Sequence, residues 1–271
     1  MAAPLKLGIG GLGAIGLTVA RKVDEGGIPG IQLVAVSARD QEKARLKIRD
    51  LKSRPELVSL AGLAEIADVI LECVPARHFA EIAEPAVAKG RIFMPLSVGQ
   101  LLGHMHLVDR AQTTGARIMV PTGALLGLDA VRAVAEGHVH SVRITTRKPP
   151  KGLAGAPYLS EHNINVEAIT TPTRIFEGNA RAAIKGFPAN VNVAVALSLA
   201  GIGPDRTSVE IWADPTVTRN THTIEVTSDS SDFTMTIANI PSVETPATGK
   251  VTALSAIAAL RRLTAPLVVG T

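Results

Sequence analysis

The spacing of hydrophobic and polar positions changes character near residue 121. Before that point, short apolar runs alternate with amphipathic segments. The runs predict strands over 5–10, 31–36, 67–74, 91–96 and 116–121. Between them the pattern predicts helices from Ala14 to near Gly26-Gly27, and over 40–53, 78–90 and 107–113. The run over 67–74 is almost continuously apolar, which suits a strand covered on both faces of a parallel sheet. Strands alternating with helices predict a doubly wound parallel sheet. Beyond 121, a helix is expected from Thr122 to about Glu136. The strand candidates then lengthen and alternate, over 138–147, 208–213, 221–227 and 232–240. Alternation of that kind suits antiparallel strands with one wet face. Alanine-rich helices are expected over 178–185 and 189–200. Four of the seventeen prolines fall in 149–172, which predicts a loop. A last helix, 248–263, should return to the first domain. The expected architecture is α/β: residues 1–121 as a dinucleotide-binding domain completed by the C-terminal helix within 241–271, and 122–240 as a second α/β domain with a mainly antiparallel sheet.

The first strand runs straight into a glycine cluster and then a helix. That is the layout of a dinucleotide-binding βαβ start. Two registers fit G-x-G-x-x-G: Gly8-Gly10-Gly13 and Gly11-Gly13-Gly16. The second leaves the strand intact and sets Gly13 at the mouth of the helix. Backbone N–H groups there can approach a pyrophosphate, and Gly16 lets the helix sit close. Gly11, Gly13, Ala14, Ile15 and Gly16 are therefore the expected cofactor contacts. Lys6 before this run also suggests a signal peptide, but the run is too rich in glycine and lacks a small-residue cleavage site. The second strand ends in Ser37-Ala38-Arg39-Asp40. An acid at such a tip selects NAD, whereas Arg39 would pair with the 2′-phosphate of NADP. Asp40 still has reach to a ribose, so the cofactor is NAD or NADP.

Composition narrows the function classes. A chain that is 46% hydrophobic and 19% charged can bury a sizeable core. No uninterrupted apolar stretch of about 18 residues occurs, so no membrane partner is expected. A single cysteine, Cys73, fits a reducing cytoplasm, and its apolar neighbours mark it as a strand residue rather than a nucleophile. A net charge of +4 without a basic block, and only one Trp, one Tyr and five Phe, argue against nucleic acid. The two H-x-H pairs, His104/His106 and His138/His140, lack a matching Cys, Asp or Glu cluster, so no metal is expected.

Several segments resemble one family. GGLGAIG, PTGALLGLDAV over 121–131, the run from ARAAIKGFPANVN to EIWADP over 180–215, RNTHTIEV over 219–226 and NIPSVETPATGK within 239–261 are similar to L-aspartate dehydrogenase. The resemblance covers nearly the whole chain. It implies an N-terminal Rossmann domain with an α/β substrate and dimerisation domain, usually as a homodimer. It implies oxidation of L-aspartate with NAD or NADP to oxaloacetate and ammonia through iminosuccinate. By the same resemblance Ala124 and Asn190 fall on cofactor contacts and His222 on the catalytic histidine. Leu125 and Leu126 stand where the family often has smaller residues, which would reshape a pocket loop.

An amino-acid dehydrogenase must hold Cα–H of a neutral amine at the nicotinamide, move protons during imine hydrolysis, and bind carboxylates. His222 suits the proton step, because an imidazole titrates near working pH. Arg or Lys suits a carboxylate. The candidates are Lys148, Lys151, Lys185 and Arg219, with Lys185 and Arg219 favoured, and Asn192 beside Asn190 as a further substrate contact. Ser97 and Gly99 close a first-domain strand where ligands bind. Trp212 is expected in packing or an interface. The expected partner is a small acidic amino acid. The alternatives are a reductase of another small amino, imino or keto acid, and a non-catalytic NAD(P)-binding sensor.

Overall fold

The computed structural model describes residues 3–242 and 249–270, which form two compact units. One runs up to Pro121 and includes Thr252–Val268; the other is built from Thr122–Val251 and the last few residues. Within the expected C-terminal stretch 241–271, residues 243–248 and 271 lie outside the described residues, as do the start of the expected helix at Thr248 and part of the motif in 239–261.

The first unit contains β1 (Leu5–Gly10), α1 (Ala14–Asp24), β2 (Ile31–Ser37), α2 (Gln41–Ile48), β3 (Glu56–Leu57), α3 (Leu63–Ile66), β4 (Val69–Glu72), α4 (Phe79–Ala88), β5 (Ile92–Pro95), α5 (His106–Thr114) and β6 (Arg117–Ile118). Its six strands are all parallel, in the order β3-β2-β1-β4-β5-β6. The order reverses at β1, and ligands bind at the carboxyl ends of strands at such a switch. Leu7, Ile9, Leu33, Val69, Leu71 and Met94 make the core, onto which Ala256, Ile257 and Leu260 of the terminal helix pack. Arg261 and Thr264 fasten that helix to the carbonyls of Gly27 and Pro29, at 2.5 and 2.7 Å. The sixth strand is shorter than its apolar run suggests, with one further ladder bond, Met119 N to Phe93 O.

The second unit contains α6 (Leu128–Ala135), β7 (Val139–Lys148), α7 (Pro157–Glu161), β8 (Thr173–Asn179), α8 (Ala180–Gly186), α9 (Asn192–Ala200), β9 (Thr207–Ala213), β10 (Thr221–Ser228), β11 (Phe233–Ala238), and the first residues of α10 (Lys250–Arg262). Its five strands run β11-β10-β7-β9-β8. Three pairings are antiparallel and β7–β9 is parallel, so the sheet is mixed, because alternation reports which face is wet and not strand direction. β8 is absent from the sequence reading. A bulge between Arg174 and Phe176 turns Ile175 and Phe176 both inward and erases the period of two. The expected helix from Thr122 starts only at Leu128, because Gly123 and Gly127 both adopt the left-handed conformation, at φ +66° and +74°. The expected loop over 149–172 carries α7 and two short 3₁₀ turns.

Candidate active site

In the first unit the glycine turn has the second register. Gly11 sits at φ +95°, where an added Cβ would collide with the Cys73 carbonyl. Gly13 is the N-cap of α1, and a Cβ there would meet nothing within 4 Å. A Cβ on Gly16 would overlap the Gly11 carbonyl oxygen. The first turn of α1 carries no acid and its last turn holds Arg21 and Lys22, so the positive end of the helix dipole is left to an outside anion. Past β2, Arg39 is exposed. Asp40 is engaged elsewhere: its Oδ1 accepts from Lys43 N at 3.0 Å and caps α2.

Glu72, the last residue of β4, has no exposed surface. Its Oε1 accepts from Val74 N at 2.9 Å and Ser97 Oγ at 3.1 Å. Its Oε2 accepts from Ser97 N at 2.9 Å and Leu96 N at 3.2 Å. Burial raises its pKa, and these donors oppose the rise. The carboxylate thus ties the end of β4 to the turn after β5, at the ligand edge of the sheet. Sequence reasoning passed over it; the signal was a lone acid inside an apolar run. Its neighbour Cys73 has its thiol pushed up, by burial first and by the Glu72 charge second, which leaves no thiolate for chemistry.

In the second unit the alternation along β7 sends Val142, Ile144, Thr146 and Lys148 inward, so the last two inward positions are polar. β10 sends in His222, Ile224 and Val226, and His222 lies directly opposite Thr146. His222 Nδ1 and Thr146 Oγ1 are 2.9 Å apart, with both residues buried. Lys148 is 6% exposed, and its Nζ donates to Asn190 Oδ1 at 2.7 Å. Burial lowers the Lys148 pKa to about 8. Burial first, and then repulsion from Lys148, lower that of His222 to about 3. His222 and Lys148 are therefore buried together on one face, with the half-buried Asn190 hydrogen-bonded to Lys148. Of the remaining predicted residues, Asn192 opens α9 two positions from Asn190. Lys185, in the last turn of α8, and Arg219, in the loop before β10, are exposed and stand apart from the buried group. Ala124 offers its carbonyl to Asn239 Nδ2 at 3.0 Å. Leu125 is fully buried whereas Leu126 is half exposed, so Leu126 is the one of the pair that can meet a ligand. Among the described residues no group of three or more His, Cys, Asp or Glu is placed to hold a metal.

The buried imidazole links stability to pH. The unfolded chain protonates its histidines through about pH 6.5, while the folded His222 does so only near 3. Unfolding therefore takes up a proton in that window, and stability falls as pH drops through it. Urea midpoints measured from pH 7.5 to 5 should fall more for the native chain than for His222→Asn. The residual slope in the variant belongs to the carboxylates and the other histidines. Parallel slopes would contradict a neutral buried His222.

A parallel sheet of this order with a glycine turn at its switch defines the first unit as a dehydrogenase-type dinucleotide-binding domain. Residues 11–121 match the family model described as homoserine dehydrogenase, NAD binding domain, and residues 129–263 match aspartate dehydrogenase, C-terminal. The chain is 53% identical to an L-aspartate dehydrogenase of Bradyrhizobium diazoefficiens, covering 98% of this chain and 94% of that protein. It is 50% identical to L-aspartate dehydrogenase 3 of Bordetella bronchiseptica, with 98% of each covered. The chain belongs to the L-aspartate dehydrogenase family. A crystal structure of aspartate dehydrogenase from Thermotoga maritima shares the fold, with a TM-score of 0.74 at 23% identity over 98% of this chain and 99% of that one.

Proposed function

We propose that the protein oxidises L-aspartate with NAD or NADP to oxaloacetate and ammonia through iminosuccinate, and runs the reverse reductive amination. The observation that carries the reading is likeness over 98% of the chain to proteins named L-aspartate dehydrogenase, at up to 53% identity. The buried His222 with its fixed Nδ1 supports it chemically. When bound, the nicotinamide accepts the hydride from Cα, and the protein supplies position and charge. We assign the pyrophosphate to the turn at Gly11 and to the N–H groups of Gly13, Ala14, Ile15 and Gly16, the Gly11 N–H itself being held by Ser37 O at 2.7 Å, and further cofactor contacts to Ala124 and Asn190. Asn190 Oδ1 is taken by Lys148, which leaves its Nδ2 for the ligand. We assign His222 the tautomer whose Nδ1–H donates to Thr146 Oγ1, which leaves Nε2 unprotonated. That lone pair takes a proton from the water that attacks the imine carbon, in the direction of deamination. Low basicity keeps His222 in this form across neutral and alkaline pH. Asn192 contacts substrate from the start of α9. The exposed cations Lys185 and Arg219 draw the acidic substrate in. The second unit serves substrate binding and dimerisation, the protein acts as a homodimer, and a single cysteine fits a cytoplasmic location.

The reverse direction tests the assignment: purified protein should consume reduced nicotinamide with oxaloacetate only when ammonia is present. Consumption without ammonia would mean a keto-acid reductase, and binding of the nucleotide without turnover a sensor. Arg39 sets the cofactor preference in this reading. Arg39→Ala should raise the KM for NADP by about tenfold or more, the worth of one charge-assisted contact, and leave that for NAD nearly unchanged. An unaltered NADP/NAD ratio would remove Arg39 from the 2′-phosphate.

A further inference from the structure

We propose that the Lys148 ammonium, on the buried sheet face it shares with His222 and beside the half-buried Asn190, binds a carboxylate of the substrate and so selects an acidic amino acid. This rests on the dehydrogenase reading above. A buried ammonium is costly unless paired and hydrogen-bonded. Lys148 is nearly inaccessible, yet among the described residues its ammonium meets one partner, the neutral Asn190 Oδ1, and no carboxylate. Asp214 lies beside it in the fold, its backbone N–H donating to the Lys148 carbonyl at 2.8 Å. Its side chain is already used, accepting from Thr216 N, Thr216 Oγ1 and Arg147 Nη1 at 2.9, 2.6 and 3.2 Å. The ammonium thus has donors to spare and a charge that the protein leaves uncompensated. A substrate bearing two carboxylates supplies what is missing, and an amino acid with an apolar side chain supplies one less.

The elements packed around Lys148 carry few other titratable groups. β10 contributes His222, and the loop before it Arg219. β9 and its extension contribute Glu210 and Asp214. The turn after β7 contributes Lys151, and α8 Lys185. Arg147, Arg143 and Glu210 occupy the opposite, outward face, with Arg147 stacked 4.4 Å above Trp212. Lys148 titrates near pH 8, so anion binding at it must be linked to protons. A bound carboxylate also cancels the repulsion that Lys148 exerts on His222, so the base gains proton affinity when substrate arrives.

Succinate, a dicarboxylate with no amine to oxidise, is the probe. Its affinity for the full chain saturated with NAD should be measured by calorimetry from pH 6 to 10 in buffers of different ionisation heat. The expected result is constant affinity below about pH 8 and a loss approaching tenfold per unit above it, with close to one proton taken up per succinate at pH 9. Lys148→Met removes the buried charge with an unbranched apolar chain, and should bind weakly at every pH with no slope. Succinate binding that is independent of pH, absent from the native chain, or equal in Lys148→Met overturns the assignment. Turnover of L-aspartate is read on the same preparation. Turnover with pH-independent succinate binding sinks the Lys148 assignment alone. Proton-linked binding without turnover sinks the activity and leaves Lys148 as an anion site.

Discussion

Replacing His222 with alanine should lower kcat for L-aspartate by roughly 10²–10⁴, the range for loss of a positioned acid or base, while the dissociation constant for the nucleotide stays within about twofold of native. The expectation follows from where the ring is held. Strand pairing sets His222 opposite Thr146, and the 2.9 Å contact fixes Nδ1, so the imidazole has one orientation and one nitrogen for chemistry. Alanine removes that nitrogen and leaves a small cavity, which costs stability as well. His222→Asn separates the two effects, since it keeps a polar group at the Thr146 hydroxyl but has no basic nitrogen. Release of ammonia from L-aspartate should be slowed in both variants, because the water attack follows the hydride transfer. Near-native kcat in either would remove His222 from the proton step.

The second large effect belongs to Glu72. Glu72→Ala should destabilise the first unit by about 3–5 kcal/mol, because it strands half-buried donors and opens a cavity at a fully buried side chain in one step. The N–H groups of Val74 and Ser97 would lose their acceptor at the mouth of the parallel sheet, and the Ser97 hydroxyl would keep only the Val74 carbonyl. Since Ser97 opens the turn after β5, cofactor affinity should fall in parallel. Urea unfolding with and without NAD measures both. Glu72→Gln keeps an acceptor oxygen and should recover most of the stability. An unchanged unfolding midpoint in Glu72→Ala would contradict the role of the carboxylate as the tie between β4 and β5.

The parts of this molecule that were legible in the chain are those where one local signal decides. The glycine turn is one: Gly11 and Gly16 each admit no Cβ, so the residue type alone reports the geometry. β7 and β10 are others, because alternation carries their burial pattern from Val142 to Thr146 and from His222 to Val226. Where two constraints overlap, the reading failed. The bulge in β8 puts two neighbouring side chains inside, and left-handed Gly123 and Gly127 delay α6 in a stretch that looks helical throughout. Strand direction in the second sheet depends on the path of the chain, which periodicity does not record. Lys148, Lys151, Lys185 and Arg219 are equivalent as letters. Only the fold distinguishes the buried one from the three that face water. Glu72 was concealed by its apolar neighbours, although a charged residue in such a run must find donors and is for that reason informative.

The most direct test of the central claim is the forward reaction at alkaline pH. Purified protein with NAD or NADP is offered L-aspartate, D-aspartate, L-glutamate, L-alanine and L-asparagine, while absorbance at the reduced-nicotinamide band and the release of ammonia are followed together. Reduction with L-aspartate alone, with one ammonia and one oxaloacetate formed per nicotinamide reduced, is the predicted result. Reduction by another member of the panel in preference to L-aspartate, or none from any while the nucleotide still binds, would contradict it.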